Sequence, residues 1–188
     1  MGLDIVFYEK ITRVDCVFDA GGDAISPKTR RPLSMNDKFK AFVQADMTQF
    51  AEGITSGDVY RTRGGGSFYA GGYMGFMWFR DQLAKLSGWT RSAEGGKYDA
   101  IGPYWHSAFS KDGGPFWELL VFSDCEGTIG HKTSKKLATD FDKHAGDAAV
   151  FVVDPGTRDD FTEYFRKTYS NFRRAFEIAA KGGAVVFC

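Results

Sequence analysis

The longest regular hydrophobic pattern in this chain lies between residues 158 and 181, where apolar side chains recur every three or four residues. Its members are Phe161, Tyr164, Phe165, Thr168, Phe172, Ala175, Phe176 and Ala179. This spacing places them on one side of an α-helix, and so long a stripe must be buried against another layer of the fold. The pattern therefore predicts a helix over about 158–181. Two glycines then end the helix, and the run after them predicts a terminal strand at 184–188.

Shorter patterns predict the remaining elements. Helical spacing predicts helices at 36–52, 73–87 and 134–144. Clusters of β-branched and aromatic residues predict strands at 4–11, 14–18 and 116–122. Glycine and proline mark loops at 19–35, 58–72, 89–115 and 123–132. Residues 148–153 fit either a strand or a helical continuation, so both alternatives stay open.

The order of these elements predicts the fold class. Helices and strands do not alternate strictly along the chain, which favours an α+β fold. We expect a single domain over residues 1–188, with a small mixed β-sheet packed by about four helices. The strand at 116–122 is expected to be central in that sheet, and the long C-terminal helix is expected to pack across it.

Charge and cysteine content exclude several classes of protein. Lys and Arg number 24 and Asp and Glu also number 24, so no strongly basic domain is present and direct nucleic-acid binding is disfavoured. The three cysteines show no paired metal-binding spacing, which argues against a zinc ribbon and a disulfide scaffold. No apolar run reaches the length of a membrane span, and the acidic start is unlike a signal peptide. We therefore expect a cytoplasmic protein with no membrane partner.

The segment 123–131 is the strongest candidate for chemistry, because it leaves a predicted strand and leads into a predicted helix. Asp124, Glu126 and His131 offer two carboxylates and an imidazole to a divalent metal ion, the one cofactor that the sequence suggests. Cys125 would be a nucleophile if its pKa were lowered. The structural alternative is that Asp124 closes a turn and Glu126 caps the following helix. No complete catalytic motif accompanies the segment, so the sequence does not decide whether the chain is an enzyme.

A second candidate is an excess of acidic residues over 140–163. Seven acidic residues occur there against two basic ones, Lys143 and Arg158. Some of the acids lie where a helix is expected to begin and would favour its dipole. The alternative is an acidic face that meets a basic partner. We therefore take Asp142, Asp147 and Asp154, together with Asp124 and Glu126, as candidate partner-binding residues.

Three segments carry a resemblance to a known group of proteins. They are Met-Gly-Leu-Asp at 1–4, Phe-Ser-Asp-Cys-Glu-Gly-Thr-Ile-Gly at 122–130, and Arg-Ala-Phe-Glu-Ile-Ala-Ala-Lys-Gly-Gly at 174–183. Together they resemble uncharacterised small proteins of bacteriophages and prophages. The resemblance implies a non-enzymatic accessory protein that binds a host protein, for example a defence protein, and inhibits it. The alternative function is a small metal-dependent hydrolase that uses the 123–131 loop.

Overall fold

The computed structural model describes residues 2–92, 102–123, 125–153 and 159–188. The strands are β1 (Gly2–Tyr8), β2 (Lys10–Arg13), β3 (Val17–Phe18), β4 (Ala24–Ile25), β5 (Lys38–Lys40), β6 (Val59–Arg63), β7 (Gly66–Gly72), β8 (Gly127–Gly130) and β9 (Ala184–Phe187). The α-helices are α1 (Tyr73–Leu86), α2 (Trp117–Val121), α3 (His131–Lys143), α4 (Ala145–Val150) and α5 (Asp159–Ala179). Two 3-10 helices span Ala45–Ala51 and Trp105–Ser110. These elements confirm the α+β class, and the long C-terminal helix is followed by a strand as expected.

The principal sheet has four strands in the order β7-β1-β9-β8. Every strand pair of this sheet is antiparallel, where a mixed sheet is expected from the sequence. The central strands are β1 and β9, not the predicted strand at 116–122. Two smaller antiparallel sheets, β2-β6-β5 and β3-β4, are joined to it along the chain.

The principal sheet continues into β2-β6-β5 through one long ribbon that bends at a pair of glycines. Phe7 pairs with Gly66 in the first sheet, and Lys10 pairs with Arg63 in the second. The pairing register of the two chain segments is therefore unchanged across the bend. At the bend, Gly65 has φ +119°, and a Cβ atom there would lie 1.9 Å from the carbonyl oxygen of Phe7. Only glycine fits this position. The loop predicted at 58–72 is therefore wrong, since most of it forms β6 and β7.

Helix α5 packs on one face of the principal sheet and confirms the prediction from its stripe. Phe172 and Phe176 are fully buried. The Phe172 ring centroid lies 5.0 Å from that of Phe68 on β7 and 5.4 Å from that of Phe79 on α1. These contacts join the helix, the sheet and α1 in one aromatic core. The predicted helix at 73–87 and the terminal strand are also confirmed.

The predicted strand at 116–122 is wrong, because this segment contains α2. Phe116 adopts a left-handed conformation with φ 56°, and its backbone N–H donates to the Asp140 carboxylate at 2.7 Å. The five residues that follow form a helical turn with Leu119 and Leu120 fully buried. A short apolar run buried on all sides carries no period that distinguishes a strand from a helix.

The predicted helix at 36–52 is also wrong. Residues 38–40 form β5, and Phe39 stacks between Tyr8 and Tyr60, with centroids 5.1 and 5.8 Å away. Only Ala45–Ala51 is helical, as a 3-10 helix. Of the predicted strand at 14–18, only Val17 and Phe18 form a strand, β3, which pairs with β4. Helix α3 begins at His131, three residues before the predicted start. Of the two alternatives at 148–153, the helical one holds as far as Val150.

Candidate functional site

The two faces of the principal sheet have different environments. Leu3, Ile5 and Phe7 of β1 are buried toward the helices, and successive side chains of a strand point to opposite faces. At one end of the second face, Phe39 of β5 covers Tyr8. At the other end, around Gly2, the face is open and forms a cleft with a volume of about 640 Å³. This volume lies within the ordinary range of ligand-binding clefts.

The cleft is built from several parts of the chain. Gly2 and Cys188 lie at neighbouring strand ends, where Asp4 and Cys188 exchange backbone hydrogen bonds of 2.9 and 3.1 Å. The segment around the start of the 3-10 helix adds Phe42 and Asp46. The remaining lining residues are Gln44, Ala45, Met47, Tyr73, Ser123, Cys125 and Glu126. The cleft therefore combines aromatic and aliphatic groups with two carboxylates and two thiols.

The 3-10 helix is held over β8 by close backbone packing. A Cβ atom at Gly130 would lie 3.3 Å from the carbonyl carbon of Ala51, so the two backbones approach closely there. The Gln44 side-chain amide donates to the backbone carbonyl of Glu126, across the cleft. The ammonium group of Lys132 also lies 2.8 Å from the Glu52 carboxylate. These contacts fix Phe42 to Met47 relative to the sheet, although Phe42 itself remains 49% exposed.

The described side chains that line the cleft carry a net negative charge. Asp46 and Glu126 are both exposed, and neither has an ion-pair or hydrogen-bond partner for its carboxylate among the described residues. No lysine, arginine or histidine from the described ranges lines the cleft. Burial raises the pKa of the Cys188 thiol, and the negative charges of Asp4 and Glu126 raise it further. Cys188 is therefore a neutral thiol at physiological pH and a poor nucleophile.

Of the three predicted metal ligands, only Glu126 is found in the cleft among the described residues. Glu126 lines the cleft, whereas His131 is the first residue of α3 and does not. The extended strand β8 separates them, and five residues at about 3.3 Å each span about 16 Å. The structure therefore does not bring Glu126 and His131 together. Asp124 lies outside the described residues, and within those residues no group of three His, Cys, Asp or Glu side chains could hold a metal ion.

The acidic segment at 140–163 is partly neutralised by contacts that its sequence does not show. The Asp142 carboxylate accepts a hydrogen bond of 2.7 Å from Arg173, which α5 brings alongside α3. Asp140 is bound to Lys136 and to the backbone of Phe116, so its role is structural. Asp147 is exposed, with its carboxylate 3.8 Å from the His144 ring nitrogen. Asp154 lies outside the described residues.

Most of the cleft cannot be found from the sequence pattern. Phe42 and Met47 fit the stripe of the predicted helix 36–52, and that interpretation places them in the core. Of the predicted segment 123–131, the described residues Ser123, Cys125 and Glu126 line the cleft. Asp46 reaches the cleft because the 3-10 helix packs against β8, and no local sequence pattern shows that packing.

Comparisons with known proteins do not assign the chain to a family. No family model, curated protein or solved structure shows a significant match to the chain. Within the part of the chain that the structure describes, no helix is both long enough and apolar enough to cross a membrane.

Proposed function

We propose that this chain is a non-enzymatic binding protein that captures a protein of its host through the cleft. The observation that carries the proposal is the exposure of large apolar groups on and beside a concave surface. Phe42 lines the cleft and is 49% exposed, Tyr69 packs on Gly2 and is 61% exposed, and Met74 follows the cleft residue Tyr73 and is 58% exposed. Exposed apolar groups on and beside a concave surface are typical of protein-binding surfaces.

The chemistry of the cleft favours binding over nucleophilic catalysis. A cysteine hydrolase needs a thiolate beside a general base. The raised pKa of Cys188 opposes its thiolate form. No histidine from the described residues lines the cleft as a general base for either of its thiols, Cys125 or Cys188. The resemblance to small phage and prophage proteins supports a host protein as the partner and inhibition as the outcome of binding.

The experiment uses Phe42→Ser with Val150→Ser as a matched control. Both variants remove an exposed apolar side chain, but Val150 is 75% exposed on α4 and does not line the cleft. Wild-type protein is immobilised, partners from host lysate are identified by mass spectrometry, and the affinity of a purified partner is measured by calorimetry. We expect Phe42→Ser to weaken binding at least about tenfold and Val150→Ser to leave it unchanged.

Equal binding by wild type and Phe42→Ser would refute the cleft as the binding surface. A divalent metal titration tests the alternative function in the same samples. A rise in melting temperature with Mg²⁺, Mn²⁺ or Zn²⁺ that Glu126→Gln abolishes would favour the metal-dependent hydrolase.

A further inference from the structure

We infer that the partner enters the cleft through a basic segment, which places a lysine or arginine side chain against Asp46 and Glu126. The inference rests on the proposed function and adds the chemistry of the occupant. The charge and the apolar lining of the cleft each contribute to it.

Within the described part of the chain, the two carboxylates of the cleft lack the ion pairs that other acidic side chains of the surface form. The Asp142 carboxylate is paired with Arg173 at 2.7 Å, and Glu118 is paired with Lys136. Asp46 and Glu126 have no such partner among the described residues, and the described lining contributes no positive charge. Two uncompensated negative charges in one concave site attract a cation and repel phosphate groups. Charge complementarity therefore favours a basic protein segment and disfavours a nucleic acid.

The apolar lining suits a long basic side chain better than a small ion. Lysine and arginine carry aliphatic stems that pack on apolar surface while the charged end remains near its counter-ions. The rings of Phe42 and Tyr73 line the same cleft as the two carboxylates, and aromatic faces also attract cations. By contrast, a divalent metal ion needs several converging ligands, and no such group of three exists within the described ranges.

A pair of short peptides tests this chemistry directly. The first is acetyl-Ala-Leu-Arg-Leu-Ala-amide, and the second replaces its arginine by citrulline, which has nearly the same shape and no charge. Each is titrated to about 5 mM into ¹⁵N-labelled protein, a concentration that reports even millimolar affinity. We expect the arginine peptide to shift the amide signals of residues 44–47, 73 and 125–126. We expect the citrulline peptide to bind at least about tenfold more weakly.

Charge-removing variants then test which carboxylates bind the arginine peptide. Asp46→Asn combined with Glu126→Gln should weaken the arginine peptide at least about tenfold. Asp142→Asn combined with Asp147→Asn removes the same charge from exposed positions outside the cleft and should leave binding unchanged. If the Asp142 and Asp147 pair weakens binding instead, the basic segment binds on α3 and α4 and the inference is wrong.

The outcomes separate this inference from the proposed function. Equal binding of both peptides, or no shift with either at about 5 mM, would overturn the basic occupant. A host partner that requires Phe42 but tolerates Asp46→Asn with Glu126→Gln would also overturn it, while the cleft would remain the binding surface. A host partner indifferent to Phe42→Ser would contradict the proposed function itself.

Discussion

The guanidinium carbon of Arg80 lies 4.5 Å from the centroid of the Trp105 ring. It also lies 4.6 Å from the centroid of Phe76, so a buried charge is enclosed between two aromatic groups. Arg80 donates from Nη1 to the carbonyl oxygen of Phe122 at 2.6 Å and to that of Leu120 at 3.3 Å. Arg80 thereby fixes the end of α2, from which the chain continues into the cleft at Ser123.

Replacing Arg80 by methionine should destabilise the fold by about 3 kcal/mol. The variant fills similar volume but leaves the buried carbonyl of Phe122 without its donor, at a cost of about 1–3 kcal/mol, and removes the cation–π contacts. Urea denaturation measures the change in free energy of unfolding. Arg174→Met, at an exposed position of α5, is the control and should change it by less than about 0.5 kcal/mol. Equal effects of the two substitutions would contradict the role given to Arg80.

Replacing Phe172 or Phe176 by alanine should cost about 3–5 kcal/mol, because each substitution empties a fully buried aromatic position. Phe161 lies on the same stripe but is 39% exposed, so Phe161→Ala should cost much less, about 1 kcal/mol. Chemical denaturation of the three variants gives the comparison. A loss below about 1 kcal/mol at both buried positions would show that α5 does not pack as described.

The bend of the β-ribbon should tolerate no side chain at Gly65. In Gly65→Ala, the new Cβ would lie 1.9 Å from the Phe7 carbonyl oxygen at φ +119°, and we expect a loss of more than about 3 kcal/mol. Gly146→Ala is the control, because this position lies in α4 and a Cβ there meets nothing within 4 Å. That control should be neutral or stabilise by up to about 1 kcal/mol. Circular dichroism melting curves would refute the prediction if both variants unfolded at the same temperature.

The stability should fall at alkaline pH because of Tyr169. Burial raises the pKa of its hydroxyl above the ordinary value; Arg173 opposes this shift, and nearby carboxylates add to it. The hydroxyl donates to the Phe141 carbonyl at 2.6 Å, which requires the neutral form. Above about pH 10 the unfolded chain loses this proton first, so the free energy of unfolding falls by at most about 1.4 kcal/mol per pH unit.

Tyr169→Phe isolates this effect from the other titrating groups. Urea denaturation of wild type and variant between about pH 8 and about pH 11 should give a smaller decline for the variant. The variant should be less stable at pH 8 by about 1 kcal/mol, because one hydrogen bond is lost. Parallel pH profiles for the two proteins would show that Tyr169 ionises equally easily in the folded and unfolded states.

The accuracy of the sequence predictions follows the length and regularity of each pattern. Helix α5 is predicted well because its stripe repeats over many turns, and one interpretation fits every position. The segment around Leu119 and Leu120 is too short and too apolar to show a period, and its helical form depends on Arg80 and Asp140 elsewhere in the chain. Phe39 and Phe42 share helical spacing by coincidence, since Phe39 stacks on Tyr8 and Phe42 remains exposed.

The residues of the candidate cleft were also predictable only where a local sequence pattern marks them. Glu126 is suggested by a local feature, an acidic segment between two predicted elements. Asp46 reaches the same cleft only because the 3-10 helix packs on β8, a contact between residues about eighty positions apart, as the Gln44 to Glu126 hydrogen bond shows. A pattern read within one window of sequence carries no information about such a contact. The ion pair between Asp142 and Arg173 is hidden from the sequence pattern for the same reason, because the arginine belongs to another helix.

The pairing of β1 with β9 has a consequence for synthesis of the protein. Strand β1 lies between β7 and β9, and Val6 pairs with Val186. While the ribosome is still adding the residues of α5, β1 can pair only with β7. The edge of β1 that later binds β9 is therefore still exposed. Synthesis proceeds at about 5–20 residues per second, so this unfinished sheet persists for several seconds after β7 has emerged. The chain must complete its fold after β9 leaves the ribosome, and chaperones that shield exposed strand edges should bind the nascent protein until then.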